Sequence, residues 1–365
     1  MSAKYRGQAL QVGLLALPES TPAALHGLYE VLSSVGVAWP GLTGEPSDVA
    51  PVAVRIVAAR AIPFRSPAGP PITPEARLEQ AMDCDIVIVT DLALDTSADP
   101  RGRWTEEARW LTAMNERGAV ICSVCTGSIL LAEAGLLDGQ EATTHWSATE
   151  LFRRCYPSVR LRPERILSPA GPEASIVTGG GASSWEDLAL YLIARFRGER
   201  EAIRAAKVFL IGDRGAGQLP YAAMARPARH GDGVIARAQA WIAEHYAESR
   251  PVARMIAQSG LPARSFTRRF KAATGYSPVA YIQALRIEEA KQLLETGDLP
   301  TELVALEVGY EDAASFRRLF RQRAGMTPAR YRQQFQSVGK LRRPEEAGAA
   351  EVSRKPPGRS AAGGH

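Results

Sequence analysis

Cysteines, histidines and long hydrophobic runs are all scarce in this 365-residue sequence. The four cysteines are too few and too irregularly spaced for a disulfide framework in a chain of this size; they are Cys84, Cys122, Cys125 and Cys155. Cys122 and Cys125 form a C-x-x-C pair, but no second pair accompanies them, so we expect neither a metal site nor another cofactor. No apolar run approaches the roughly 18 to 20 residues of a membrane span, and no signal-peptide pattern follows the polar start. We therefore expect a cytoplasmic protein.

The net charge of +5 is unevenly distributed along the chain. Residues 231–335 hold 15 Lys and Arg against 11 Asp and Glu, and residues 336–365 hold 6 against 3. The first 230 residues therefore have a net negative charge. A basic C-terminal part on such a chain is the pattern expected if that part alone contacts a polyanion. The length of the chain favours two domains.

Strands and helices alternate in the first part of the sequence. Apolar runs of strand length lie at 12–17, 53–58, 85–90 and 119–124, and helical spacing is found at 22–35 and 106–116. This order predicts an α/β domain with a doubly wound parallel sheet, which we place at residues 1–211.

The last of these strands runs almost without a loop into the sequence CTGSILLAEAGLL. Cys125 occupies this sharp turn, at the carboxyl edge where open α/β sheets bind ligands. The amides that follow, at Thr126 and Gly127, are expected to bind an anion and to lower the pKa of the Cys125 thiol. His145 is a candidate base or hydrogen-bond partner. The alternative is a small buried cysteine and a core or loop histidine, and spacing alone favours that alternative.

Residues 10–211 resemble the ThiJ/PfpI branch of the class I glutamine amidotransferase-like proteins, through AVICSVCTGSILLAEAGLLDGQEATTHW and TGGGASSWEDLALYLI. The resemblance implies a flavodoxin-like fold and, in enzymatic members, a nucleophilic cysteine assisted by a histidine, which would be Cys125 and His145. Those members usually place a carboxylate in the first strand-to-helix turn, where this chain has Ala23 and Ala24 and where Glu19 lies too early. The residue after the cysteine is also not the histidine of the protease-like members. We therefore expect a ligand pocket that is not catalytic.

One pattern occurs twice between residues 252 and 332. Five positions recur fifty residues later: Phe266, Phe270, Gly275, Pro278 and Tyr281 return as Phe316, Phe320, Gly325, Pro328 and Tyr331. The match indicates a duplicated helical unit, each copy consisting of a short helix, a glycine turn and a longer helix. The turn glycines are Gly260 and Gly309.

Each longer helix has an inward face with two phenylalanines and an outward face that is mainly basic. The outward positions are Arg264, Thr267, Arg268 and Lys271 in the first copy and Ala314, Arg317, Arg318 and Arg321 in the second. Such a helix can enter a DNA major groove, where arginine binds guanine bidentately. We interpret Lys271 and Arg321 as phosphate contacts and the other basic positions, with Thr267, as base-reading candidates. A solvated basic face is the alternative for one helix, but two with matching polarity favour DNA.

The segments around the two copies complete the predicted organisation. Residues 280–294 have helical spacing and are predicted to hold the copies rigidly, so that they read major-groove segments about 34 Å apart. Residues 212–233 are rich in Gly, Pro and Ala and are predicted to be a linker. The DNA-binding domain is predicted at 234–335, and a disordered basic tail at 336–365.

Residues 235–335 resemble the AraC/XylS-type DNA-binding domain, through FTRRFKAATGYSPVAYIQALRIEEAKQLLETGD and VALEVGYEDAASFRRLFRQRAGMTPARYR. Together with the first half, this is similar to the GlxA family of transcriptional regulators. The resemblance implies a sequence-specific regulator, an activator more often than a repressor, that binds promoter DNA and RNA polymerase as a homodimer. The N-terminal domain would bind a small-molecule effector or mediate dimerisation. The alternative is a cysteine-dependent hydrolase, amidase or glyoxalase-like enzyme that uses Cys125 and His145.

Overall fold

The computed structural model describes residues 8–212, 217–222 and 230–340. The chain divides into two compact units, residues 1–222 and 223–365. The start of the chain, most of the predicted linker and the predicted tail from residue 341 onward lie outside the described residues. No helix within the described ranges is long and apolar enough to cross a membrane.

The first unit alternates strands and helices. Its strands are β1 (Leu10–Leu15), β2 (Val52–Ala58), β3 (Phe64–Arg65), β4 (Pro71–Ile72), β5 (Ala76–Arg77), β6 (Ile86–Val89), β7 (Val120–Ser123), β8 (Glu141–Ala142), β9 (Arg160–Leu161), β10 (Leu167–Ala170) and β11 (Ile176–Gly179). Its helices are α1 (Pro22–Ser33), α2 (Ala38–Thr43), α3 (Thr105–Glu116), α4 (Ser128–Glu133), α5 (Thr149–Cys155), α6 (Ser184–Arg197) and α7 (Glu199–Phe209).

Seven of these strands form one sheet in the order β10-β11-β7-β6-β1-β2-β5. All neighbours are parallel except β10 and β11, which pair antiparallel at one edge. Helices α1 and α6 pack on one face of the sheet, and α3, α4 and α5 pack on the other. The predicted doubly wound α/β fold is confirmed.

Strand β6 shows why its sequence is apolar at every position. Ile86 and Ile88 belong to the core on the α1 and α6 side, while Val87 and Val89 belong to the core on the opposite side. All four side chains are fully buried. A strand covered by helices on both faces lacks the alternating polar positions of a half-exposed strand, which explains the continuous apolar run.

Seven strands and three boundaries differ from the sequence prediction. Strands β3, β4, β5, β8 and β9 were not predicted and have only two residues each. Strands β10 and β11 were also not predicted: each has only four residues, and β10 contains Pro169, which an edge strand tolerates because its amide side need not pair. The helix expected directly after Cys125 begins only at Ser128, after one 3₁₀ turn. Residues 217–222 pack in the first unit instead of forming a free linker, and the last helix continues to Lys340, past the expected start of the tail.

The second unit is entirely helical in its described residues. Its helices are α8 (Gly233–His245), α9 (Pro251–Ser259), α10 (Ala263–Thr274), α11 (Pro278–Thr296), α12 (Thr301–Glu307), α13 (Ala313–Ala324) and α14 (Pro328–Lys340). The two helix-turn-helix pairs are α9–α10 and α12–α13, and α11 connects them.

The duplication extends to the packing of aromatic rings. In the first copy the rings of Phe270 and Tyr281 pack edge-on with centroids 5.3 Å apart. In the second copy Phe320 and Tyr331 pack edge-on at 5.5 Å. All four phenylalanines of the pattern are fully buried. Each copy therefore builds the same small aromatic core, which fixes the outward face of its longer helix.

The turn glycines are less alike than the sequence suggests. Gly260 has a φ of 66° and Gly309 a φ of 86°, a region that favours glycine. A Cβ atom on Gly260 would meet no atom within 4 Å, whereas one on Gly309 would lie 2.4 Å from the carbonyl oxygen of Ala247. Gly260 is therefore needed for its backbone conformation, and Gly309 also for a close backbone approach.

Candidate DNA-binding surface and cysteine elbow

Helices α10 and α13 present polar faces away from their aromatic cores. All eight outward positions named from the sequence are exposed: Arg264, Thr267, Arg268, Lys271, Ala314, Arg317, Arg318 and Arg321. The phenylalanines beneath them are buried on both helices. Each helix is therefore anchored from one side and free to contact a partner from the other.

The two faces differ in how their basic side chains are held. Within the described part of the chain, Arg264, Arg268 and Lys271 of α10 have no hydrogen-bond or ion-pair partner for their side chains, and Thr267 Oγ1 donates to Ala263 O at 2.9 Å. On α13, Arg317 forms an ion pair with Glu302 of α12. The face of α10 is therefore uncompensated positive charge, whereas that of α13 is partly balanced by acidic neighbours.

The N-termini of the two helices also differ. The Asp312 carboxylate caps α13 by accepting from Ala314 N at 3.0 Å and Ser315 N at 2.9 Å. Hydrogen bonds from the Ser315 hydroxyl and from these amides hold the pKa of Asp312 below its ordinary value. Helix α10 begins after Pro262, which supplies no capping side chain. Its first-turn amides therefore stay available to an external acceptor such as a phosphate.

Arg286 of α11 connects the first copy to the second. Its guanidinium donates to Tyr246 O at 2.8 Å and to Glu248 O at 2.9 Å, both in the loop before α9, and to Gly309 O at 2.8 Å in the second turn. It also lies over the Tyr310 ring at 5.1 Å. The rigid connection expected from the helical spacing thus includes three charge-assisted hydrogen bonds that the sequence did not reveal.

An ion pair between Arg269 and Asp232 joins α10 to the N-terminus of α8. Asp232 caps α8 and also accepts from Arg269 Nε at 2.9 Å and from Arg269 Nη2 at 2.8 Å. The Arg269 hydrogen bonds are the main reason why the pKa of Asp232 falls to about 2. Arg269 therefore has a structural partner, in contrast to its neighbour Arg268.

The elbow of the first unit has the backbone expected of a strained strand-to-helix turn. Cys125 has a φ of 55°, which costs energy for a residue with a Cβ atom. Gly127 lies against the end of β6: a Cβ there would be 2.6 Å from Val89 O and 2.4 Å from Thr90 O. The turn thus depends on a glycine two residues after the cysteine.

Buried hydroxyl groups hold this elbow in place. Thr126 Oγ1 donates to Leu92 O at 2.7 Å and accepts from Leu92 N at 2.9 Å. Ser128 Oγ and Thr144 Oγ1 both donate to Cys125 O, at 2.9 and 3.2 Å. The Gly127 amide donates to Val124 O at 2.9 Å. That amide is therefore occupied, contrary to the expectation that it would bind an anion.

The expectation of a lowered thiol pKa at Cys125 is wrong. Burial, and then the nearby charge of Asp91, raise the pKa of this thiol to about 12, although the Thr126 amide acts in the opposite direction. The side chain is 6% exposed. Because α4 has only six residues and the amides of Gly127 and Ser128 donate to Val124 O and Thr126 O, the helix provides too little positive potential to offset burial.

A carboxylate does lie near the thiol, but it comes from a different strand than expected. Asp91 follows β6, is 9% exposed, and accepts from Thr21 Oγ1 through Oδ2. Its Oδ1 is buried and has no partner among the described atoms. Burial raises the pKa of Asp91. No local sequence motif marks this residue, because its proximity to Cys125 follows from β6 and β7 being neighbours in the sheet.

The position in the first turn where a carboxylate was looked for is apolar, because Ala24 is buried there. Glu19 lies before this turn, and its Oε1 accepts from Arg103 Nη2 at 2.9 Å. Glu19 Oε2 is buried and has no partner among the described atoms.

His145 is engaged locally. Its Nδ1 lies 2.7 Å from Ser147 Oγ, and burial lowers the pKa of the imidazole. No hydrogen bond between His145 and Cys125 occurs in the described structure. Gln218 binds the residues on either side of His145: its Nε2 donates to Thr144 O at 2.8 Å and its Oε1 accepts from Trp146 N at 3.2 Å. The segment predicted as linker thus contributes a buried side chain beside His145.

Comparisons with known proteins match both units. Residues 255–334 match the helix-turn-helix domain family, and residues 52–192 match the DJ-1/PfpI family. The HTH-type transcriptional regulator CdhR of Pseudomonas aeruginosa is 29% identical over 226 residues, which cover 61% of this chain and 66% of that protein. The HTH-type transcriptional regulator GlxA of Rhizobium meliloti is 26% identical over 233 residues, covering 61% of this chain and 68% of that protein.

An enzyme is also among the similar proteins. The isonitrile hydratase of Pseudomonas putida is 29% identical over 186 residues, which cover 50% of this chain and 71% of the enzyme. The two family matches lie in the two halves of the chain, and the resemblance inferred from the sequence is confirmed. The chain therefore consists of a DJ-1/PfpI-family domain followed by an AraC-type helix-turn-helix domain, and it is similar to the HTH-type transcriptional regulators CdhR and GlxA.

Proposed function

We propose that this regulator recognises promoter DNA by placing α10 and α13 in two successive major-groove segments on one side of the duplex. The observation that carries the proposal is the pair of exposed basic faces, each fixed by its own buried aromatic core. The three carbonyl contacts of Arg286 support a constant arrangement of the two helices. A single chain would then cover an asymmetric site whose two halves have centres about one helical turn, or roughly 34 Å, apart.

The side chains divide by the chemistry that each group supports. Arg264, Arg268 and Arg318 have the fork of donors that matches the O6 and N7 atoms of guanine. Lys271 and Arg321 lie one turn further along their helices and are assigned to phosphates, which set register and affinity without reading sequence. Phosphate contacts release counterions, so binding should weaken steeply as the salt concentration rises.

The test is promoter affinity in single-residue variants at fixed salt. A cognate site is first selected from a random duplex library with the full chain. Arg268→Ala and Arg318→Ala should each weaken binding to that site by about 1 to 3 kcal/mol. The control is Arg153→Ala. Arg153 is an exposed arginine of the first unit that pairs with Glu150, so this variant loses one positive charge at a position remote in sequence from α10 and α13, and its affinity should be unchanged. Unchanged affinity in both recognition variants would refute the assignment.

We infer that the first unit binds a small-molecule effector near Cys125 and does not catalyse a reaction. The buried thiol with a raised pKa and the locally engaged His145 both support binding without turnover. The orphan Oδ1 of Asp91 is a hydrogen-bond acceptor for which a ligand donor would be the natural partner. Thermal-shift screening of metabolites against wild type and Asp91→Asn tests this: a shift that the variant abolishes is expected, and a shift that it leaves intact would contradict the site.

A second candidate function is enzymatic, and the observation in its favour is the Asp91 carboxylate beside Cys125 together with the similarity to isonitrile hydratase. On this view Asp91 replaces the acid missing from the first turn. Incubation of the full chain with an isonitrile, followed by detection of the hydrated product, separates the two possibilities. Turnover that is lost in both Cys125→Ser and Asp91→Asn would establish the enzyme, and absence of turnover with a preserved effector response supports the sensor.

We further propose that the protein acts in the cytoplasm as a homodimeric activator that contacts RNA polymerase. The similarity to HTH-type transcriptional regulators supports the role in transcription. Sedimentation of the full chain, together with in vitro transcription from the selected site, tests it. A monomer at micromolar concentration, or transcription that falls on addition of the protein, would contradict the dimer and the activator, respectively.

A further inference from the structure

We infer that Glu302 is a positioning residue that sets the base specificity of Arg317. The inference rests on the proposed insertion of α13 into the major groove. Glu302 is the second residue of α12, and its carboxylate forms an ion pair with Arg317 Nη2 of the following helix. Both side chains remain about half exposed, at 56% and 49%. The pair therefore lies on the surface that would face DNA and not in the core.

The first copy of the repeat has no counterpart to this pair. Aligning Gly260 with Gly309 places Ala253 at the position of Glu302, and aligning the phenylalanines places Thr267 at the position of Arg317. Thr267 donates to the backbone of its own helix instead. Because the first copy builds the same aromatic core without such a pair, the ion pair is not required for folding a helix-turn-helix unit.

The contact leaves the recognition capacity of Arg317 intact. A guanidinium has five N–H donors in a planar fork, and only one nitrogen of Arg317 contacts Glu302 in the described structure. The remaining donors are sufficient for a bidentate contact to guanine. A long arginine side chain otherwise loses considerable rotamer freedom when it binds, and a partner that orients it beforehand reduces that loss.

The charge of Glu302 also affects whether Arg317 binds base acceptors or phosphate oxygens of the DNA. A carboxylate only accepts hydrogen bonds and repels phosphate oxygens, so an arginine attached to it is disfavoured from moving to the DNA backbone. Without Glu302, Arg317 is free to contact phosphates or several neighbouring bases. Loss of Glu302 should therefore lower discrimination at one base pair, while new phosphate contacts of Arg317 offset the lost orientation in overall affinity.

The matched control is Glu311, which precedes α13 and is exposed. No hydrogen bond or ion pair involves the Glu311 side chain within the residues described. Glu302→Gln and Glu311→Gln each remove one negative charge close to α13, so a general electrostatic effect on affinity should appear in both. Only Glu302→Gln removes the charge that orients Arg317.

The experiment measures binding of the full chain to its selected site and to all single-base variants of that site. Arg317→Ala first identifies the base pair at which Arg317 acts. At that base pair, Glu302→Gln should reduce the preference for the selected base by about fivefold to tenfold, within the range that one bidentate contact supplies. Glu311→Gln should retain the full preference, and Glu302→Gln combined with Arg317→Ala should behave as Arg317→Ala alone.

The failures of the two ideas are distinguishable. If Arg268→Ala and Arg318→Ala leave affinity unchanged, the proposed mode of DNA binding fails. If those variants weaken binding but Glu302→Gln and Glu311→Gln give the same base preferences, only the role of Glu302 is overturned. A lowered melting temperature of Glu302→Gln with unaltered preferences would also overturn it, because a merely stabilising surface ion pair predicts that result.

Discussion

The two turn glycines provide a direct test of the packing between the repeats. In Gly260→Ala the new methyl group meets no atom within 4 Å, so the change imposes only the left-handed backbone conformation. That conformation costs an ordinary residue about 1 to 2 kcal/mol, and the lower entropy of the unfolded chain returns about 0.4 to 1 kcal/mol. The midpoints of these two ranges leave a net loss of about 0.8 kcal/mol, so the free energy of unfolding should fall by roughly 0.5 to 1 kcal/mol.

Gly309→Ala adds a steric conflict to the same backbone cost. Its Cβ would lie 2.4 Å from Ala247 O and 2.9 Å from two further backbone atoms of Ala247. Ala247 cannot easily move, because Arg286 binds the carbonyl oxygens of both its neighbours, Tyr246 and Glu248. Overpacking of this kind costs about 1 to 3 kcal/mol. Added to the roughly 0.5 to 1 kcal/mol expected for Gly260→Ala, this gives a total loss of roughly 1.5 to 4 kcal/mol.

Scanning calorimetry of the full chain checks the comparison. For a domain of this size, a loss of 1 kcal/mol lowers the transition temperature by about 4 to 8 °C. The transition temperature of the second unit should therefore fall by roughly 2 to 8 °C for Gly260→Ala. For Gly309→Ala the transition temperature should fall by at least about 6 °C, and by as much as roughly 30 °C. The transition of the first unit should not move in either variant. Equal shifts for the two variants would refute the close approach of Ala247 to the second turn.

Two further predictions concern groups with shifted pKa values. Because burial raises the pKa of the Cys125 thiol to about 12, iodoacetamide should modify it slowly at pH 8 and rapidly only after denaturation; Asp91→Asn should accelerate the reaction only modestly, since burial is the larger cause. Rapid alkylation of the native protein at pH 8 would contradict this. Because Arg269 lowers the pKa of Asp232 to about 2, their ion pair contributes fully above the ordinary aspartate pKa and is lost as the pH falls toward 2. The urea midpoint of Arg269→Gln should lie below that of wild type at pH 7, and the gap should narrow with acidification; a constant gap from pH 7 to pH 3 would exclude the pair.

Much of the fold follows from local patterns in the sequence. Apolar runs predicted β1, β2, β6 and β7 to within two residues at each end, because burial between helix layers requires apolar side chains. The edge strands β10 and β11 lack that signal: each has four residues, and β10 contains Pro169. The repeat of Phe266 and Phe270 correctly predicted paired helical units, because aromatic cores impose spacing on the sequence.

The chemistry of the sites was harder to predict, because it depends on contacts between distant positions. Asp91 approaches Cys125 only through the neighbouring positions of two strands, and no local motif marks it. The pKa of the thiol depends on how deeply it is buried, which the turn sequence does not encode. Gln218 lies in a segment with the composition of a linker, yet it is 2% exposed beside Thr144. In each case the property of the residue depends on tertiary contacts that no local sequence pattern encodes.

The three carbonyl contacts of Arg286 have a consequence for the promoter as well as for the protein. If α10 and α13 cannot change their separation, the distance between the two DNA segments that they contact is fixed in base pairs. Inserting one base pair between these segments displaces one by about 3.4 Å along the axis and rotates it by roughly 35°. An arrangement held by Arg286 cannot follow that displacement, so the inserted site should bind through one helix only. Spacing would then be as much a part of the recognised sequence as the bases themselves.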